Sequence, residues 1–291
     1  MKIRTIVFFL SLCSSLAQAK VLIFTYAYNR PEFIEYQHLT FEKFLLDEYD
    51  FVVFNDAHDR EMAKKIELMC QKYDLPCIRI PQEIHSRPYL QRWPGEDYNH
   101  PSIRNANVVQ YSLNEYGFDY PGIVVLLDSD MFLIKEFSIE QYMAEHQIAG
   151  LPQSKSHANN HVEYIWIGLA FLDMQHLPDK QTLNFNCGRI DDIPVDAGGH
   201  TYHYIKNHPQ IAVQRMNLAY LPNESEYNQA CWFARKLFDK GYREARAEFL
   251  LNSTFFHYRG GSNWDQQPAN FHTQKWSAVQ DIMNELLTGK D

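Results

Sequence analysis

An α/β fold built on a mostly parallel sheet is the architecture this sequence predicts, and three observations predict it. Apolar runs alternate with stretches of helical periodicity from Val21 to Leu133. The runs at 21–26 and 123–127 show no polar alternation, as expected of strands buried on both faces. Each apolar run stops at polar residues, at Asn29-Arg30-Pro31, Asn55-Asp56 and Asp128-Ser129-Asp130. That is the pattern of strands emerging at the carboxyl edge of an open sheet, where ligands collect. With 291 residues, 45% hydrophobic and 14% aromatic, the chain can bury one large core, and one domain over residues 20–291 is expected.

Residues 1–19 read as a signal peptide. Lys2 and Arg4 precede an apolar stretch over 5–12, and small residues end at Ala17-Gln18-Ala19. The expectation is export or entry into the secretory pathway; the alternative is a cytoplasmic or membrane-associated protein. The apolar part is short for a bilayer span, so a membrane partner is expected only if the segment is kept as an uncleaved anchor. A net charge of -9, with no basic run of five or more, excludes nucleic acid as a partner class. Of five cysteines, Cys13 would leave with the signal. Cys70 and Cys77 are close enough in sequence to bridge a helix end to the next strand after export, free buried thiols being the equal alternative. No cysteine or histidine spacing matches structural zinc.

The elements follow in order. After the strand at 21–26, Pro31 suits a first helical turn, and Ile34, Gln37, Phe41, Phe44 and Leu45 recur on one face. A second strand at 51–54 precedes a helix marked by Met62, Ile66, Met69, Cys70 and Tyr73, and a third short strand spans 76–80. This is a β-α-β-α-β opening. Residues 81–100 lack periodicity and read as a loop near the active end. The stretch 101–116 is helical through Ile103, Ala106, Val109, Leu113 and Tyr116, and it feeds the strand at 123–127. Beyond it, 137–146 reads as a surface helix, 148–152 as a short strand, 164–174 as an apolar strand or strand pair, 201–206 and 223–238 as helices, 249–258 as a returning strand, and 276–286 as a packing helix. His157 and His161 fall in a polar loop without a carboxylate partner. Asn223 and Asn252 open glycosylation sequons that matter only in a eukaryotic source.

The chemistry concentrates at Asp128 and Asp130. Two carboxylates one residue apart at the end of a buried strand suit a hard divalent cation, one oxygen ligand each or one facing a hydroxyl; a plain strand-end turn is the alternative. Near the carboxyl end, Arg259 and the Gly260-Gly261 turn are suited to closing on phosphate. Asp196, before the Gly198-Gly199 turn, is the candidate carboxylate for a substrate hydroxyl, as general base or orienting contact, ahead of Asp173. Its alternative role is to cap the following helix.

Four stretches then carry a resemblance. TYAYNRPEF after the first strand, SIRNANVVQYSL before the central one, VVLLDSD, and FFHYRGGSNW resemble, in order and spacing, the landmarks of a GT-A type nucleotide-sugar glycosyltransferase over residues 20 to about 265. The resemblance implies a three-layer α/β/α sandwich with a mixed, mostly parallel sheet. It implies a nucleotide-sugar donor, a glycan, lipid or protein acceptor, and Mn2+ or Mg2+ as cofactor. Carried over residue by residue, it implies Thr25, Tyr26 and Arg30 around the nucleoside, Asp56 at the base, and Arg104 at the diphosphate. Asp128 would meet ribose or metal, Asp130 and His257 would be metal ligands, and Trp166 and Gly168 would line the donor sugar. An imidazole in that set favours Mn2+.

Two other classes compete. An aspartyl-nucleophile phosphohydrolase also places D-x-D after an apolar strand, but Phe132 stands where Thr or Val is usual, and the motif lies behind three βα units. A non-catalytic exported glycan-binding protein is the other, its 18 Tyr and 19 Phe serving as stacking platforms.

Overall fold

A computed structural model describes residues 21–289 except 87–90, 94, 98–99, 158–159 and 263–265. The signal-peptide expectation therefore lies outside the described residues. Val21–Ala27 (β1), Pro31–Phe44 (α1), Tyr49–Asn55 (β2), Arg60–Lys72 (α2) and Cys77–Arg79 (β3) form the expected opening. Pro101–Ser112 (α3) leads through a wider helical turn, Leu113–Gly117, to Ile123–Leu127 (β4) and Met131–Leu133 (β5). Ile139–Met143 (α4), Ile148–His157 (β6), Asn160–Asp173 (β7), Gly188–Ile190 (β8), Ile193–Val195 (β9) and Thr201–Asn207 (α5) follow. Val213–Arg215 (β10), Leu218–Tyr220 (β11), Trp232–Asp239 (α6), Glu248–Leu250 (β12), Phe255–His257 (β13) and Ala269–Thr288 (α7) complete the chain.

The main sheet has seven strands in the order β10-β6-β7-β4-β1-β2-β3, and all but β7 run in one direction. It is the mixed, mostly parallel sheet that was expected. Every residue of β1 is buried, and its side chains divide by twos. Val21 and Ile23 join Ile34 and Phe41 of α1 and Ile66 of α2 on one face. Leu22, Phe24 and Tyr26 join Ile103, Ala106 and Val109 of α3 and Tyr204 of α5 on the other. These two apolar faces make the three layers. A second, antiparallel sheet, β11-β12-β13-β5, packs an aromatic cluster of Phe33, Phe132, Phe233, Phe256 and Trp276 under α6 and α7.

Four expectations need correction. The single strand at 249–258 is a hairpin, because Leu251, Asn252 and Ser253 adopt left-handed φ of 54°, 53° and 59° and the Asn217 side chain accepts from Asn252 N–H. The helix at 223–238 begins only at Trp232; Asn223 Oδ1 accepts from the N–H groups of Ser225 and Glu226 and holds that backbone in a turn. The strand at 148–152 runs on to His157, and His157 and His161 sit on paired strands rather than in a loop. The surface helix over 137–146 is one short turn, Ile139–Met143, capped by Ser138. The four described cysteines are free, with Cys70 buried and Cys77 half-buried.

Candidate metal centre

The site forms where β4 ends and the chain turns toward β5. Met131 N–H donates to the Asp128 carbonyl at 3.1 Å. The Gln37 amide from α1 donates to the Asp128 and Met131 carbonyls at 2.9 and 3.0 Å, and Thr25 Oγ1 donates to Gln37 Oε1 at 3.0 Å. This buried strut satisfies the carbonyls of a turn that no water reaches from the core side. Pairing of β13 with β5 sets His257 opposite Met131, one residue from Asp130. Pairing of β12 with β13 sets Glu248 opposite His257.

Asp128, Asp130 and His257 each offer a ligand atom within 4.8 Å of the others, and among the described residues no other three acidic, histidine or cysteine side chains meet this way. His257 Nε2 lies 3.2 Å from Asp130 Oδ1, while Nδ1 lies 2.7 Å from Glu248 Oε2. Asp128 Oδ1 accepts from Asn105 Nδ2 at 2.9 Å, and Asp130 Oδ2 accepts from Gly261 N–H at 2.9 Å. A Cβ on Gly261 would stand 2.8 Å from Asp130 Cβ and 2.6 Å from Phe33 Cε2, so the approach requires glycine.

The electrostatics are those of a site with surplus negative charge. Burial, then repulsion from Asp130, pushes the Asp128 carboxyl up to about 6. Burial also opposes ionisation of Asp130, but His257 and the Gly261 N–H outweigh it and hold that carboxyl below its usual range. Burial works against an imidazolium at His257, yet Asp130 and Glu248 push it up to about 10. Glu248 is likewise held low against its burial by His257 and Arg259, whose Nε is 3.6 Å away.

These residues fit a divalent cation. Two cis ligands of an octahedral ion at about 2.1 Å lie about 3 Å apart, close to the Asp130–His257 spacing. A carboxylate on the other ring nitrogen, as Glu248 is on His257, is the contact by which metal-binding imidazoles are commonly oriented. Trp166 lies beside His257, ring centroids 5.3 Å apart. A Cβ on Gly168 would fall 2.0 Å from Trp166 Cη2, so the indole lies over a position that only glycine leaves open. The Gly168 carbonyl accepts from Asp128 N–H at 2.9 Å.

Of the other sequence candidates, Arg30 reaches the rim, donating from Nη1 to the Gly261 carbonyl at 3.3 Å. Asp196 does not join the three ligand side chains; it is tied to them through Arg92, which bonds His100 at the start of α3, the helix whose Asn105 holds Asp128. The Asp196 carboxylate does not cap α5, whose cap position is His200; it accepts from Arg92 instead. Thr25 is fully buried under Gln37, and Tyr26 is buried with its hydroxyl 2.9 Å from Ser112 Oγ, so both support the cleft from beneath rather than line it. Asp173 is not brought to the site. Because β7 is antiparallel, Asp173 lies opposite Ile123 at the amino end of β4, roughly 13 Å along the sheet, where it accepts from Gln175 N–H. Asp56 and Arg104 pair with each other at 2.9 Å, so Arg104 is committed to a carboxylate rather than presented alone. The sequence reading missed Asn105, Glu248 and the role of Gln37. A polar residue within the apolar face of α1 was the signal for Gln37; Glu248 had none before the hairpin register was known.

No family model matches the chain, and no curated protein matches it. Among solved structures, it is similar to core-mannan synthase A of Aspergillus fumigatus in its Mn/GDP form, at 8% identity over 57% of this chain and 62% of that one, TM-score 0.39. It is similar to the mannosyltransferase Ktr4p of S. cerevisiae, at 12% identity over 56% and 58%, TM-score 0.37. It is also similar to glucosyl-3-phosphoglycerate synthase of Mycobacterium tuberculosis, at 14% identity over 68% and 70%, TM-score 0.39. The chain thus spans less than two thirds of the two fungal enzymes.

Proposed function

We propose that this chain is a divalent-cation-dependent glycosyltransferase that moves a sugar from a nucleotide-diphosphate donor to a hydroxyl of a glycan, lipid or protein. The observation that carries the reading is the meeting of Asp128, Asp130 and His257 at the carboxyl end of a central strand, each held by a second group. In this reading the three hold Mn2+, or less favourably Mg2+. When bound, the cation supplies positive charge to the departing diphosphate without a proton transfer.

The chain's own groups do the rest. Glu248 accepts from His257 Nδ1 and leaves Nε2 facing the carboxylates. Asn105 and Gly261 each take one carboxylate oxygen and leave the other for the ligand. Arg30 and Arg259, on either side of the Gly261 turn, face the donor diphosphate. Trp166 over Gly168 gives the donor sugar a flat wall, and Asp196 receives the acceptor hydroxyl. Tyr28, with the Arg104 guanidinium 5.3 Å over its ring, bounds the nucleoside side, and Asp56 holds that guanidinium in place. Export through a cleaved segment 1–19 belongs to the same proposal, with Lys20 as the mature amino terminus by mass spectrometry.

A thermal-shift panel of UDP, GDP, ADP and CDP with and without Mn2+ tests the reading. A diphosphate should raise the melting temperature only with metal present; at a hundred times its dissociation constant it adds about 2.7 kcal/mol. No shift with any diphosphate plus Mn2+ would overturn the proposal, as would release of inorganic phosphate from a phosphomonoester as the sole activity.

A further inference from the structure

We infer that Arg92 is a positioning residue that fixes the Asp196 carboxylate to receive the acceptor hydroxyl, an inference that rests on the transferase reading above. Arg92 is 6% exposed, so no substrate reaches it. Its Nη1 donates to Asp196 Oδ1 at 2.8 Å, its Nε donates to Glu96 Oε1 at 2.7 Å, and its Nη2 donates to Glu96 and, at 2.8 Å, to His100 Nδ1. Its backbone is pinned as well, N–H to Glu96 Oε2 at 3.0 Å and carbonyl from Arg189 Nη1 at 2.9 Å. A guanidinium held in this many directions cannot swing, and Asp196 inherits that rigidity.

The carboxylate is half used. Asp196 Oδ1 accepts from Arg92 and from Ala197 N–H, both at 2.8 Å, whereas Oδ2 has no partner among the described residues and the side chain is 42% exposed. Glu96 already pairs with the guanidinium through Nε and Nη2, so Arg92 holds Asp196 through Oδ1 and leaves Oδ2 as one fixed, outward oxygen. The same network reaches the metal side. His100 is the cap of α3, accepting from Ser102 N–H, and one turn along that helix Asn105 holds Asp128. An acceptor hydroxyl on Oδ2 is therefore referenced, through α3, to the carboxylates that hold the donor's cation. A carboxylate oriented by a guanidinium serves to place a hydroxyl, so its loss is expected in acceptor binding more than in turnover.

Arg92→Gln, Arg92→Lys and Asp196→Asn in the full chain test this, with steady-state constants for donor and acceptor, the rate of donor hydrolysis by water, and the melting temperature. Acceptor KM is expected to rise about tenfold or more in Asp196→Asn and Arg92→Gln, the loss of a charged hydrogen bond, with partial recovery in Arg92→Lys. In the two Arg92 variants donor KM and transfer to water should stay within about twofold, a split that a merely structural role would not produce. Equal loss on donor and acceptor, or an unchanged acceptor KM in both Arg92 variants while Asp196→Asn raises it, would overturn the positioning role. Should Arg92→Gln fail to fold, Arg92→Lys decides between these outcomes. A wild-type protein that neither hydrolyses nor transfers from any nucleotide sugar would instead overturn the transferase reading, and the inference with it.

Discussion

Two buried Asp–His pairs sit at the carboxyl edge of the main sheet, and their difference shows what makes one of them a site. At the end of β2, Asp56 Oδ1 takes His85 Nε2 at 2.8 Å and Gln82 at 3.2 Å, and Oδ2 takes Arg104 at 2.9 Å. Both oxygens are spent and the carboxylate has its own cation. At the end of β4, three carboxylates, Asp128, Asp130 and Glu248, face one imidazole, with a guanidinium only at the edge. The first cluster is closed and holds structure together; the second carries negative charge that a cation would complete. Carboxylates at strand ends are common to both, and the charge balance separates them.

The largest expected effect follows from opening the second cluster. Asp130→Asn should abolish Mn2+-dependent turnover, by about a thousandfold or more, and remove the Mn2+-dependent rise in melting temperature, while the metal-free protein stays folded because Glu248 still pairs with His257 at 2.7 Å when the Asp130 charge is lost. Retained turnover and a retained metal shift would collapse the distinction between the clusters. The mirror experiment is Asp56→Asn, which leaves Arg104 buried without its carboxylate. Stability should fall by about 3–5 kcal/mol in urea unfolding, with the Mn2+ shift of the folded fraction preserved. Loss of metal response there would mean that the two clusters are one site.

A smaller effect separates ligand from support. Glu248→Gln keeps a hydrogen-bond acceptor for His257 but removes the charge, and outer-shell changes of this kind cost about 10–100-fold in metal affinity. Isothermal titration with Mn2+ measures it, and an unchanged affinity would reduce Glu248 to a packing role.

The closed cluster and the open one were also unequally legible in the sequence. The end of β4 was readable because a strand buried on both faces has no reason to stop at two carboxylates except the sheet's edge, and Ile123–Leu127 is the strand expected. Val21–Ala27 extends the expected strand by one residue for the same reason. Residues whose role depends on register were not readable. Glu248 meets His257 only because Leu251 to Ser253 turn left-handed inside an apolar run, which periodicity reads as continuous strand. Asp173 failed in the opposite sense, since a strand's direction is not written in its composition and β7 turned out antiparallel. Asp56 and Arg104 were each assigned a ligand, because a sequence does not show that they pair with each other.

The finest test of the comparison is pH. His257 is pushed up to about 10 in the metal-free fold by Asp130 and Glu248, against an unfolded value near 6.5. A raised folded value means that the imidazolium's contribution to stability is fully present below about pH 6.5 and is lost as pH rises through about 10. Metal binding needs the neutral imidazole, so Mn2+ must displace that proton, and its apparent affinity should climb by up to about tenfold per pH unit across the same window. The two trends oppose each other: from pH 6.5 to 9 the metal-free protein loses stability from this cluster while the increment that Mn2+ adds grows. Asp128, Asp130, Asp196, Glu248, Arg259 and Lys275 are the charges that act on the cluster, and none belongs to the Asp56 cluster. Melting curves across pH with and without Mn2+, on the wild type and on His257→Gln, separate this contribution from background titration. The wild type should show a metal increment that rises with pH and His257→Gln a weaker one that is flat; a flat increment in the wild type would mean that His257 keeps its proton and is not a ligand.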